Sequence, residues 1–216
     1  MKIAALFCHS DSPYKSLPDV NAWDESRDCI NWDAQADAVI THPPCRDWSR
    51  LVRTGTFEPD GSSIHALWAV QQVRDSSGVL EHPAYSYLWW YLGLPRPGEG
   101  CDRFGGWTLA IEQYHWGHRA AKPTWLYIVG CPFEELPPMP RKVGRPSHVV
   151  NSSIRKGRPG RRPIIPQREA LLTPPAFAQW LVELAGICAR NRKAGKRPKV
   201  SRQMEFAYME TMPPRQ

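Results

Sequence analysis

Asp37-Ala38-Val39-Ile40-Thr41-His42-Pro43-Pro44-Cys45 is the stretch on which the fold turns. Ala38, Val39 and Ile40 form a short apolar run, and the Pro43-Pro44 pair stops it sharply, so it reads as a buried strand. A cysteine directly after such a turn stands at the carboxyl edge of a sheet, where α/β folds collect their ligands. The pattern recurs on both sides. Residues 2–7 read as a first strand, 77–83 as a short buried strand that again stops at a proline, and 107–117 and 123–130 as two more. Asp60-Gly61-Ser62-Ser63 opens a helix whose Ile64, Leu67, Trp68 and Val73 keep helical spacing to about Arg74. Residues 84–92 form a short helix or packed loop. A last helix is predicted with Thr173 as its N-cap, proline in its first turn, and Phe177, Trp180, Leu181, Leu184 and Ile187 on one face. This rhythm predicts an α/β sheet of mostly parallel strands.

The chain of 216 residues is long enough for one such core plus extensions and short for two domains. No apolar run reaches the roughly 18 residues of a membrane span. The N-terminus reads as a strand and not as a signal peptide, so the expected compartment is cytoplasmic. Six scattered cysteines without a CxxC pair suggest reduced thiols. The net charge of +7 suggests a polyanionic partner. Acids and bases balance to about Leu136, whereas no acid lies between Glu135 and Glu169. Arg141, Lys142, Arg145, Arg155, Lys156, Arg158, Arg161, Arg162 and Arg168 accumulate there, and a second basic run follows from Arg190 to Arg202. The expected organisation is a core of residues 1–136 plus 167–189, a mobile basic Pro/Gly/Arg-rich loop at 137–166, and a disordered basic tail at 190–216. The triplets Gly144-Arg145-Pro146 and Gly157-Arg158-Pro159 resemble the core of an AT-hook, though general phosphate binding by Arg and Lys is the simpler expectation.

Three loops carry residues capable of chemistry. Cys45 has Arg46 beside it, and a basic neighbour favours the nucleophilic thiolate. Glu81 emerges from an apolar strand, where a carboxyl can stay protonated and act as an acid. His118, Arg119 and Lys122 precede a strand and are suited to binding phosphate or steering a thiolate. His42, His82 and His118 together with Cys45 would make four zinc ligands. The histidines abut proline or glycine in tight turns and read as turn residues, so no metal is assigned.

Taken in order, these loops resemble the motifs of DNA cytosine-5 methyltransferases. Pro43-Pro44-Cys45-Arg46-Asp47-Trp48-Ser49 looks like the Pro-Cys-Gln-x-Phe-Ser loop, and Leu80-Glu81-His82-Pro83 like the Glu-Asn-Val/Pro motif. Residues 116–130 resemble the Tyr-Gly-x-x-Gln-x-Arg-x-Arg motif and the strand after it. Residues 168–185 resemble the Arg-x-Leu-Thr segment that rejoins the core. The nearest expected relatives are short methyltransferase-like proteins of bacteriophages. The resemblance implies a Rossmann-like methyltransferase sheet, shortened at its N-terminal cofactor half. It implies Cys45 as the nucleophile on C6 of the base, Glu81 as the acid on its N3 side, and Lys122 in place of the third motif's first arginine. It further implies S-adenosylmethionine as donor, with Asp24 on its ribose and Asp28 on its adenine, while Ser10, Asp11 and Tyr14 in the turn after the first strand could rebuild a site for a different cofactor or donor. Nucleic-acid contacts are expected from Arg46, Ser49, Arg119, Arg145, Arg158, Arg161 and Arg162, with double-stranded DNA as the partner.

The pattern also departs from the family. The glycine-rich turn after the first strand is replaced by Cys8-His9-Ser10-Asp11-Ser12-Pro13-Tyr14, and the third motif's glutamine and second arginine are Ala120 and Thr124. The target-recognition domain is absent. The expectation is a DNA-modifying enzyme of phage or prophage origin, acting at C5 of a pyrimidine. The alternative is a catalytically inactive, methyltransferase-like DNA-binding protein that masks sites or counters restriction. An RNA-directed enzyme is a third possibility, because phosphate attraction is blind to the sugar.

Overall fold

A computed structural model describes residues 1–24, 26–32, 35–49, 52, 54–55, 58–151 and 156–196. Its centre is a six-stranded mixed sheet, compatible with a Rossmann-like fold, in the order β2-β1-β3-β4-β7-β5. The strands are β1 (Ile3–Cys8), β2 (Val20–Asp24), β3 (Ala38–Thr41), β4 (Gly78–Pro83), β5 (Gly106–Glu112) and β7 (Pro123–Val129). β2, β1, β3 and β4 are parallel, and β7 runs antiparallel between β4 and β5. The expectation of a mostly parallel sheet therefore holds for the first four strands only. The last two segments lie close in sequence, joined by a short connection that allows only antiparallel return.

Both sheet faces are covered. Ile3, Ala5, Ala38, Ile40, Val79, Leu126 and Ile128 point to one core, and Ala4, Leu6, Val39, Leu80, Tyr127 and Val129 to the other. This period of two explains why the central strands read as continuous apolar runs. Helix α1 (Ser63–Ser76) closes the second face with Ala66, Ala69, Val70 and Val73. Helix α4 (Pro175–Lys193) closes the first with Phe177, Leu181, Leu184 and Cys188. The short α2 (Tyr87–Leu92) is capped by the Ser86 hydroxyl, which accepts from Leu88 N, and α3 (Gln167–Leu171) precedes α4.

Several expectations need correcting. The N-cap of α4 is Pro174, with Pro175 following as the first helical residue, so Thr173 lies one residue outside the cap. The helix runs to Lys193, past the expected start of the tail at residue 190; residues 197–216 lie outside the described residues. The 137–166 segment contains one short strand among its described residues. β8 (His148–Val149) pairs in parallel with β6 (Ala120–Ala121), Val149 bridges Ile164, and Val149 and Ile165 are buried. Residues 152–155, including Arg155, lie outside the described residues. By length and composition Gln167–Lys193 passes as a membrane span, which the sequence reading did not find. Half of its most apolar window is buried inside the protein and Thr173-Pro174-Pro175 interrupts it, as suits a core helix.

One glycine is required for the sheet to form. Gly78, at the start of β4, has φ +131°, and a Cβ there would lie 2.0 Å from the Val39 carbonyl oxygen. Gly78→Ala is expected to cost on the order of 3–5 kcal/mol in denaturant unfolding, because the β3–β4 pairing must shift. Gly98, with φ +86° and open space around it, serves as the control; its alanine variant should lose only about 1–2 kcal/mol. Equal losses at the two positions would show that the backbone collision is not the cause.

Candidate functional site

The carboxyl ends of β1, β3 and β4, the start of β7 and the end of β5 meet at one edge of the sheet. The chain leaves β1 toward β2 on one side while β3 lies on the other, so a topological switch point opens here. The Cys45 loop follows β3, Glu81 is the fourth residue of β4, and Lys122 immediately precedes β7.

These three side chains share one electrostatic environment. Burial pushes the Cys45 thiol up, the Glu81 charge pushes it further, and Lys122 opposes both. Burial lowers Lys122, against the pull of Glu81 and Cys45. Burial alone would raise Glu81, but the hydrogen bond from His42 and the Lys122 charge outweigh it and hold the carboxyl at about 2. Two expectations are thereby reversed. Glu81 rests as a carboxylate and not as an acid, because it has a donor and a cation against it. Cys45 rests as a thiol, because burial acts on it more strongly than a neighbouring base.

The sequence reading did not assign the residues that hold Glu81. His42 Nδ1 lies 3.0 Å from Glu81 Oε2, and Tyr14 Oη lies 3.0 Å from His42 Nε2. A carboxylate can only accept, so His42 carries its proton on Nδ1, and Nε2 accepts from the Tyr14 hydroxyl. On the other side Gln113 Nε2 donates to Glu81 Oε1 at 2.8 Å and to Thr124 Oγ1 at 3.0 Å. Tyr14, Gln113 and Thr124 are buried, and the Glu81 side chain is only 13% exposed. A carboxylate with a donor on each oxygen is fixed in rotamer as well as in charge. Lys122 Nζ donates to the Leu172 carbonyl at 3.2 Å, which ties this corner to the segment before α4.

The residues expected to take a nucleoside cofactor are placed differently. Asp24 ends β2 and receives Lys15 Nζ at 2.5 Å on one oxygen and Ser26 N and Oγ on the other. These partners hold its carboxyl well below the usual carboxylate range. Asp28 accepts from Ile30 N and Asn31 Nδ2 as the cap of a 3-10 turn. Ser10 is exposed in the turn after β1, and that turn leads to Tyr14, whose ring is fully buried. Both carboxylates thus hold the chain's own donors, and no glycine lets a ligand approach the backbone after β1. As they stand, these residues do not fit S-adenosylmethionine.

The expected nucleic-acid contacts also divide. Arg46 is exposed near Asp60, and Ser49 Oγ accepts from Val52 N. Arg119 is held by both oxygens of Glu169, at 2.7 and 2.6 Å. Arg162 donates to the Pro146 carbonyl, Arg161 is half-buried, and Arg145 and Arg158 are exposed. His82 and His118 are buried, and His118 Nδ1 faces the Ala120 carbonyl at 2.9 Å. Among the described residues no three His, Cys, Asp or Glu side chains gather as a metal site would require. No family model matches this chain, and no curated protein matches its sequence.

Burial of these groups predicts a two-stage acid response. His82 is driven by burial down to about 4 from 6.5, against the opposing pull of Glu81 and the Pro44 backbone. Below 6.5 the unfolded chain binds a proton that the folded chain refuses, so stability falls as pH drops from 6.5 toward 4. The shift corresponds to on the order of 3 kcal/mol. Glu81 acts lower. Its contribution is whole above 4.5 and is lost as pH falls toward 2. Urea unfolding of wild type and His82→Gln across pH 4 to 7 should show a flatter profile for the variant; identical slopes would contradict this origin.

Proposed function

We propose that the chain draws one pyrimidine of DNA into the edge of its sheet and modifies it at C5 through Cys45. The observation that carries this reading is that the Cys45 loop follows β3, Glu81 lies near the end of β4 and Lys122 immediately precedes β7, at one edge of the sheet where their charges act on one another. The six-stranded mixed sheet, compatible with a Rossmann-like fold, is in keeping with this reading. A base reaches such a cleft only by leaving the stack.

The chemistry balances with the chain's own groups. Cys45 Sγ bonds to C6 of the pyrimidine, and its proton passes by way of Glu81 to N3. The C5–C6 π pair moves toward C5, which becomes enamine-like and nucleophilic. C5 takes a proton from water as its electrophile; a one-carbon donor in that place would leave with the electron pair of the bond it gives up. N3 then gives its proton back by way of Glu81, loss of the original C5 proton to water expels Cys45 as a thiolate that takes up the returned proton, and the ring is restored. A carboxyl held at about 2 passes a proton on and does not store it. Lys122 offsets negative charge wherever it stands along this path. S-adenosylmethionine is the donor implied by the resemblance. Because Asp24 and Asp28 are engaged elsewhere, no step is assigned to it.

The test needs no donor. An oligonucleotide with deuterium at cytosine C5 should lose its label to water in the presence of the protein, as read by mass spectrometry; methyl gain is scored in a parallel arm with S-adenosylmethionine. Retention of label in both arms would overturn the reading. The internal partners of Asp24 and Asp28 favour a second reading, an inactive methyltransferase-like protein that binds DNA to mask it. That reading predicts salt-dependent DNA binding with full retention of label.

A further inference from the structure

Tyr85, Trp90 and Tyr91 are 77%, 76% and 61% exposed, an unusual density of large rings at the surface. All three lie just after Glu81, in residues 84–92, a stretch without an acidic residue. Each ring rests on an aromatic partner. Tyr85 packs on the buried Trp125 at 5.0 Å, Tyr91 on the buried Trp48 at 5.3 Å, and Trp90 edge-on to Tyr87 at 6.0 Å. The layer beneath is fixed, because Trp89 is buried, donates to Thr108 Oγ1 at 2.8 Å and crosses Trp125 at 5.5 Å. Tyr85 also holds φ +64°, a costly conformation for a bulky residue, which keeps its ring outward against Trp125.

The rim is continuous with the candidate site on two sides. Trp48 belongs to the Cys45 loop, and its carbonyl accepts from Tyr87 N at 3.0 Å. Trp125 follows Thr124, which shares Gln113 with Glu81. Arg46 stands exposed in the adjoining loop, and the chain as a whole carries +7. Planar faces beside a cation and next to the candidate site fit unpaired nucleobases on a phosphate backbone. Duplex DNA presents only base edges to such a surface.

We infer that Tyr85, Trp90 and Tyr91 form a stacking platform for the unpaired bases flanking the target pyrimidine, and that the substrate is therefore single-stranded DNA. This rests on the proposed pyrimidine chemistry and narrows its partner from the duplex expected above to a separated strand. The platform gives the cleft neighbours for the target base without a separate recognition domain.

The test is fluorescence titration of the Cys45→Ala protein, in which no chemistry occurs, with a 20-nucleotide single strand and with its duplex. The single strand should bind more tightly. Tyr85→Ala and Trp90→Ala should each weaken it roughly tenfold to a hundredfold and leave duplex binding unchanged. Trp90→Phe should retain most of the affinity. Equal affinity for strand and duplex, or alanine variants that bind like the parent, would overturn the platform. Sedimentation showing a dimer that Trp90→Ala dissolves would assign the rim to a second copy of the chain instead. Tenfold tighter binding of the matching RNA strand would overturn the assignment to DNA. Loss of the platform with deuterium washout intact would leave the chemistry standing, whereas an intact platform without washout would sink the chemistry alone.

Discussion

Cys45→Ala should abolish deuterium washout from cytosine C5, with a fall of at least about 10³-fold, because the proposed bond to C6 is formed by its sulfur. Cys45 lies in the Pro43–Ser49 loop between the end of β3 and the Asp60 turn, and its side chain is only partly buried. The loop is held by bonds that do not involve the thiol: Trp48 N and Ser49 N donate to the carbonyls of Cys45 and Arg46, and Asp47 accepts from Asp60 N and Ser63 N. The variant should therefore fold as the parent does and keep its affinity for DNA. A variant that exchanged label at the parental rate would place the nucleophile elsewhere.

Glu81→Gln is expected to slow washout by about 10²- to 10⁴-fold, the usual worth of a positioned proton-transfer group. The amide cannot relay a proton, and it also disturbs its surroundings. Glu81 now accepts from His42 on one oxygen and from Gln113 on the other. A glutamine can accept on only one side, so its NH2 must face one of these donors. The same substitution removes a negative charge that raises the Cys45 thiol. Alkylation of Cys45 by iodoacetamide should therefore speed up in the variant while washout slows. A purely structural loss would not separate the two, and parallel falls in both would contradict the charge assignment. His42→Asn and Gln113→Ala should act through Glu81 as positioning changes, with smaller losses.

The strands that place the site were legible for a physical reason. β3, β4 and β7 are apolar because both of their faces are covered, and β3 and β4 stop at prolines where the chain must turn. Cys45 and Glu81 stand out because chemistry-bearing side chains are rare at such ends. β2 is harder to read. It is an edge strand with half-exposed residues and no clean alternation, and only Asp24 marks it. β7 was recognised as a strand, but nothing local to residues 123–129 says that it inserts between β4 and β5. The frame around Glu81 was not legible. Tyr14, His42 and Gln113 come from distant segments, and each taken alone is an ordinary turn residue. Gln113 offered one signal, a polar side chain directly after an apolar strand, without saying what it would hold. At Cys45 and Glu81 the neighbour in sequence, Arg46, is exposed and does not set the charge: burial and Glu81 decide at Cys45, and His42 and Lys122 decide at Glu81.

The most direct measurement of the central claim is intact mass of the protein after incubation with a single-stranded oligonucleotide carrying one 5-azacytosine. Nitrogen at position 5 makes C6 a better electrophile and takes a proton when sulfur adds, so the adduct persists. One oligonucleotide per chain, mapped by peptide digestion to Cys45 and absent from Cys45→Ala, is the result expected. No adduct, or one confined to the exposed Cys101, would contradict a pyrimidine nucleophile at the edge of this sheet.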